Sequence, residues 1–133
     1  MIHELTVATR NREQMIDVTA RVQEIVAKAP EESGMVICFV PHTTAGITIN
    51  ENADPDVKSD ILSALREKFP QSGRYAHAEG NSDAHIKASL MGFSTPVLFE
   101  NRSLVLGRWQ AIFFCEFDGP RSRRLIVKVV PHA

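Results

Sequence analysis

Apolar positions recur along the chain at two periods, and each period marks an element. Residues 2–9, IHELTVAT, alternate and predict a first strand. Met15, Val18, Val22, Ile25, Val26 and Ala29 fall on one helical face. They predict an amphipathic helix over 12–29, capped by Asn11 with Gln14 reaching back as its capping-box partner. Pro30 stops it. The run 35–41, MVICFVP, is apolar on both faces and predicts a central strand; ITINE, 47–51, predicts another. Asp54-Pro55 is a helix start, and Val57, Ile61, Leu65 and Phe69 extend that helix over 55–69. Asn81 or Ser82 caps a third helix that runs to about Met91, where Gly92 ends it. Three more strands follow: 94–100, 109–117, and 123–130 as hairpin partner of the one before it. With a short extended stretch at 104–107, the order β-α-β-β-α-α-β-β-β-β predicts an α+β fold, a mostly antiparallel sheet system with three helices packed on it.

On the third helix Asn81, His85 and Ser89 are four apart and form one stripe of neutral hydrogen-bonding groups. Ile86 and Leu90 form an apolar line on another face. A solvated helix face ordinarily carries Lys and Glu, so the stripe is expected to wall a polar pocket.

Bulk properties narrow the picture without naming a function. At 133 residues the chain is expected to be a single domain, 1–133, large enough for its own core. A formal net charge of -1 gives no basic field, so no nucleic-acid partner is expected. No apolar run approaches a membrane span and the first residues do not form a signal peptide, so no membrane partner is expected either. Cys38 and Cys115 lie in apolar strand runs. That predicts buried, reduced thiols and a cytoplasmic protein.

Chemistry concentrates in a few segments. His3 and His132 sit near the termini and carry no signal. His42 ends the central strand, His77 precedes the third helix, and His85 lies on it. Three imidazoles with an open position would hold a catalytic divalent metal, zinc above all, although H-x7-H is no recognised zinc signature. The alternative is that His42 and His85 are hydrogen-bonded structural residues and His77 is exposed. Gly80, Asn81 and Ser82 offer backbone donors at a helix N-terminus, and Thr43 and Thr44 add hydroxyls, which together suit a phosphate. Glu116 shares a strand face with Ile112 and Phe114, so it needs a partner. Arg121 or Arg123, across the Asp118-Gly119 turn, can supply one. Arg121 is also placed to clamp a phosphate. No covalent nucleophile stands out.

HTTAGITINENADPDV (42–57), HAEGNSDAHIKASLMG (77–92) and LVLGRWQAIFFCEFDGPRSR (104–123) resemble the YjbQ family of small bacterial and archaeal proteins. The resemblance spans nearly the whole chain. It implies sheets packed as a sandwich, a homotrimer, and a site at the subunit boundary built from the histidine segments: His42, His77 and His85, with Asn81 and the Glu116–Arg121 turn nearby. Arg108 stands where family members usually carry Thr or Ser. The implied activity is that of a thiamine-phosphate synthase, a transferase joining a pyrimidine diphosphate to a thiazole phosphate and releasing pyrophosphate. Such chemistry calls for a divalent metal, zinc or magnesium, and for cationic donors on the leaving group. On that expectation His85, Glu116 and Arg121 are catalytic, Thr43, Thr44, Gly80, Asn81, Ser82 and Asp118 bind substrate, and His42, His77 and His85 hold the metal. The residues leave two other readings open: a metal-dependent hydrolase of a small phosphorylated metabolite, and a trimeric protein that binds an anion or metal without turnover.

Overall fold

Residues 2–131 are described by a computed structural model, and the expected elements appear with one addition. In chain order they are β1 (Ile2–Ala8), β2 (Gln14–Asp17), α1 (Thr19–Ala27), β3 (Gly34–Phe39), β4 (Ala45–Glu51), α2 (Pro55–Lys68), α3 (Ser82–Met91), β5 (Ser94–Glu100), β6 (Ser103–Leu104), β7 (Gln110–Glu116) and β8 (Ser122–Pro131). His132 lies outside the described residues. The fold is α+β, two antiparallel sheets packed as a sandwich with three helices. One sheet has the order β1-β8-β3-β5-β6, the other β2-β7-β4.

β7 explains the layering. Ile112 and Phe114 point into a core shared with the larger sheet, where Val36, Cys38, Leu125 and Val127 meet them and α1 adds Val22 and Val26. Ala111, Phe113, Cys115 and Phe117 point the other way, into a second core closed by Ala84 and Ala88 of α3 and by Ile61, Leu62 and Leu65 of α2. The smaller sheet is therefore the middle layer and is buried on both faces, which accounts for the unbroken apolar run in its central strand.

Two expectations are corrected. The helix predicted from residue 12 begins only at Thr19, because 14–17 form β2 against β7, with Met15 opposite Cys115 and Ile16 opposite Phe114. Met15 enters the second core while Ile16 packs on the first. Neighbouring residues that serve opposite cores require a strand, whatever the helical period suggests. Gln14 does reach back, its Oε1 accepting from the N–H groups of Arg10 and Asn11 at 2.9 and 3.4 Å, but it closes a turn rather than a helix cap. Nor is β8 the hairpin partner of β7. The 117–121 turn carries the chain from one sheet to the other, and β8 pairs with β1 and β3.

α2 starts as read, with the Asp54 carboxylate accepting from Asp56 N and Pro55 in the first turn. α3 is different. Its buried face is Asp83, Ala84, Lys87 and Ala88, while Leu90, on the apolar Ile86–Leu90 line, is 61% exposed. The two alanines let the helix sit close on the middle sheet. At β4 the approach is closer still: a Cβ on Gly46 would lie 2.7 Å from the carbonyl oxygen of Gly92, so only glycine fits. This contact fixes the C-terminal end of α3, and the polar groups below fix its N-terminal end.

Candidate functional site

The N-terminus of α3 is anchored from outside the helix. Asn81 makes no cap bond with its side chain; instead Nδ2 donates to Asp118 Oδ2 at 2.9 Å. Asp118 is also held by Arg121, whose Nε and Nη2 donate to its carbonyl and its Oδ2 at 3.0 and 3.1 Å. The Oδ1 of Asn81 is buried and has no partner among the described residues. Such a group costs stability unless a ligand or water donates to it.

Behind this turn sits an ion pair shut off from solvent. Glu116 Oε1 accepts from Arg123 Nε and Thr9 Oγ1, both at 2.8 Å; Oε2 accepts from Arg123 Nη2 and from Asp118 N at 3.0 Å. Arg123 also donates to Thr44 Oγ1 at 2.8 Å. Burial pushes the Glu116 carboxyl up, but these hydrogen bonds outweigh it and hold it below the usual carboxylate range. With both oxygens occupied, Glu116 has no free group for substrate. Its expected catalytic role gives way to a structural one, and its partner is Arg123 rather than Arg121. Thr44 is buried in the same cluster; Thr43 is exposed.

His42 belongs to this side of the molecule. Its Nε2 accepts from Arg124 N at 2.9 Å, which fixes the neutral ring with its proton on Nδ1. Burial, then the charges of Arg123 and Arg124, lower its pKa.

His77 and His85 lie in a second cluster, their rings edge to face with centroids 5.4 Å apart. They line an open cleft of about 430 Å³ with Arg74, Tyr75, Ala76, Ser82 and Ile86. His77 Nε2 stands 3.7 Å from Glu79 Oε2, and Tyr75 donates its hydroxyl to Pro70 O at 2.6 Å, which pins the loop. Gly80 turns the chain into the helix with φ +79, where a side chain would be strained. The polar stripe thus holds in part. His85 and the helix start face the cleft, whereas Ser89 is exposed and donates back to His85 O.

Among the described residues no group of three or more His, Cys, Asp or Glu side chains is placed to hold a metal. The expected triad is therefore split: His77 and His85 form a pair, and His42 stays with the other cluster. Two imidazoles fall short of the three protein ligands of a catalytic zinc, so the residues of this chain do not fit one. Arg74 went unnoticed in the sequence because a lone arginine in a polar loop has no periodic signature. Cys38 and Cys115 are buried free thiols, pushed up to about 12 by burial, which makes them inert. A cavity of about 680 Å³ lies elsewhere, between β1 and α1; among its lining residues are Leu5, Ile25, Ala29 and Val129.

Fold and site together define a small α+β sandwich protein whose polar groups converge on one helix start. The chain belongs to the UPF0047 YjbQ-like family, whose model matches residues 3–132. The UPF0047 protein YugU of Bacillus subtilis is 47% identical, across 98% of this chain and 99% of its own length. A UPF0047 protein of Methanocaldococcus jannaschii is 45% identical, across 98% and 94%. Among solved structures, a YjbQ/UPF0047 protein of Clostridium acetobutylicum superposes with a TM-score of 0.94 at 55% identity, covering 96% of this chain and 99% of that one. A Sulfolobus solfataricus protein gives 0.94 at 31% identity, covering 99% and 97%.

Proposed function

We propose that this chain is a transferase of the thiamine-phosphate-synthase type, acting on small phosphorylated metabolites in the cleft at the start of α3. The observation that carries the reading is the convergence of His77, His85, Arg74 and Ser82 in one cleft. Helix N-terminal N–H groups and a guanidinium are what a phosphate needs. The reaction forms a C–N bond between the pyrimidine's methylene carbon and the thiazole nitrogen and breaks the C–O bond to diphosphate. Arg74 and the Ser82 region would take the charge that develops on the leaving diphosphate, and His85 would donate a proton to it. The Tyr75 ring lies alongside as a flat apolar wall. Asp118 and Arg121 act one step back, by holding Asn81. A magnesium ion, if required, would be carried mainly by the diphosphate itself.

His85→Ala and Arg74→Ala are each expected to lower the rate of thiamine-phosphate formation by about 10²-fold or more, with the far-ultraviolet circular dichroism unchanged. Full activity in both variants would refute the site.

The assembly we propose is a homotrimer working in the cytoplasm. Supporting it, the outer face of the larger sheet carries adjoining apolar side chains: Met35 pairs with Leu98 and Val130, and Phe39 with Ile126. Leu98 and Phe39 are 63% and 43% exposed in the single chain. No helix among the described residues is long and apolar enough to cross a membrane. A patch of this kind is typical of a surface that meets another copy. Leu98→Lys is expected to shift the mass measured by light scattering from trimer toward monomer; an unchanged trimer would move the interface elsewhere.

A further inference from the structure

We infer that a second anion site lies on another face of α3, in the cavity between that helix and residues 11–13, and that it takes the phosphate group of a small metabolite. The cavity encloses about 420 Å³ and is lined by Asn11, Arg12, Glu13, Arg66, Gln71 and Lys87. At its base Lys87 is fully buried, its Nζ donating to Glu13 Oε2 at 2.6 Å and to Asp83 Oδ2 at 2.7 Å. Arg12 grips Asp83 with both terminal amino groups, each at 3.0 Å, and Arg66 Nε donates to Glu13 Oε1 at 2.7 Å.

Counting donors decides the sign of the missing ligand. All four carboxylate oxygens are taken. An ammonium has three protons, and Lys87 places two of them; among the described residues the third has no acceptor. Both terminal amino groups of Arg66 and the Nε of Arg12 are also without an acceptor there. In the ion-pair cluster three cations meet two carboxylates, Glu13 and the buried Asp83, which leaves one positive charge and a surplus of donors. Lys87 is closed off from solvent and acts through its charge, while the open donors that face the cavity belong to Arg12 and Arg66, which are 28% and 59% exposed. Several donors on flexible and planar groups, converging from three segments, suit a tetrahedral oxyanion better than a planar one. Arg66, mostly exposed at the mouth, is positioned to close over it.

The site is separate from the His77–His85 cleft: Ser82, His85 and Ile86 line that cleft, while Lys87 alone of α3 lines this one. The test is isothermal titration calorimetry of the full chain, at matched ionic strength, with inorganic phosphate and in parallel with glycerol 3-phosphate. Comparing the two separates free phosphate from an ester. Arg66→Gln keeps the fold, since its side chain is largely exposed, and is expected to weaken one phosphate site about tenfold or more. Arg74→Ala, in the cleft, is expected to leave that site intact. If the cleft reading fails, the wild type binds a single anion per chain and Arg66→Gln still weakens it. Absence of binding to the wild type, or loss in Arg74→Ala that Arg66→Gln does not share, would overturn the proposal.

Discussion

Glu116→Ala is expected to lower stability by about 3–5 kcal/mol, because it strips the buried Arg123 of its counter-charge. Asp118 N loses its side-chain acceptor in the same stroke, and Thr9 Oγ1 keeps only the Arg121 carbonyl. Urea denaturation at neutral pH reads the effect directly. Glu116→Gln separates charge from shape. It keeps an oxygen for Thr9 or Asp118 but leaves the guanidinium unpaired, so most of the loss should remain. Replacing both partners, Glu116→Met with Arg123→Met, should recover a good part of it, since apolar groups of similar volume no longer bury an orphan charge. A double variant as unstable as the single one would show that the hydrogen bonds to Thr9, Thr44 and Asp118 N, not the charges, hold this corner. The site should feel the loss as well. Asp118 N hangs on Glu116, and Asp118 in turn holds Asn81 and Arg121. Loosening the turn frees the start of α3.

Local chemistry made much of this legible in the sequence. Asp54-Pro55 announced α2, Gly92 marked the end of α3, and the alternation in β7 gave both of its faces. What stayed hidden depends on partners distant along the chain. Residues 14–17 carry a helical period, and only the two cores on either side of β2 make them a strand. β8 follows β7 after a short turn, as a hairpin would, yet it crosses to the other sheet because its inward row, Arg123, Leu125, Val127 and Val129, faces the first core. The histidines were visible as candidates, but their grouping was not: His85 meets His77 edge to face, while His42 bonds the backbone of Arg124. The packing face of α3 was not legible: it pairs two alanines with Asp83 and Lys87. An aspartate and a lysine four apart ordinarily form a solvated pair, and only Arg12 and Glu13, more than seventy positions away, turn these two inward.

Lys87→Met tests that inward network and should cost about 3–5 kcal/mol, because Asp83 and Glu13 stay buried with fewer cations around them. Its signature is in the pH dependence. In the wild type, burial pushes both carboxyls up, but hydrogen bonds from Arg12 and Lys87 on Asp83, and from Lys87 and Arg66 on Glu13, hold both below their ordinary values. A carboxyl whose folded pKa is depressed contributes stability that is fully present above its unfolded pKa, near 4, and lost as pH falls through the folded value. Glu116 acts with the same sign. So does His42, whose lowered pKa means the unfolded chain takes up its proton first as pH falls below the ordinary imidazole value. Between pH 7.5 and 4 the wild type should therefore lose stability as the pH falls, with the carboxylates contributing the steeper part; the raised thiols of Cys38 and Cys115 act with the opposite sign and only at alkaline pH. Without the Lys87 ammonium, burial of Asp83 and Glu13 is less opposed, both pKa values rise, and the acid limb moves to higher pH. Urea midpoints measured from pH 7.5 to 4 should show the variant falling earlier than the wild type. Two parallel curves would mean that Lys87 contributes packing by its stem and not charge. Because Lys87 and His85 sit on one short helix, the same variant should also slow any reaction in the cleft, and its loss should exceed that of Arg66→Gln, which leaves α3 in place.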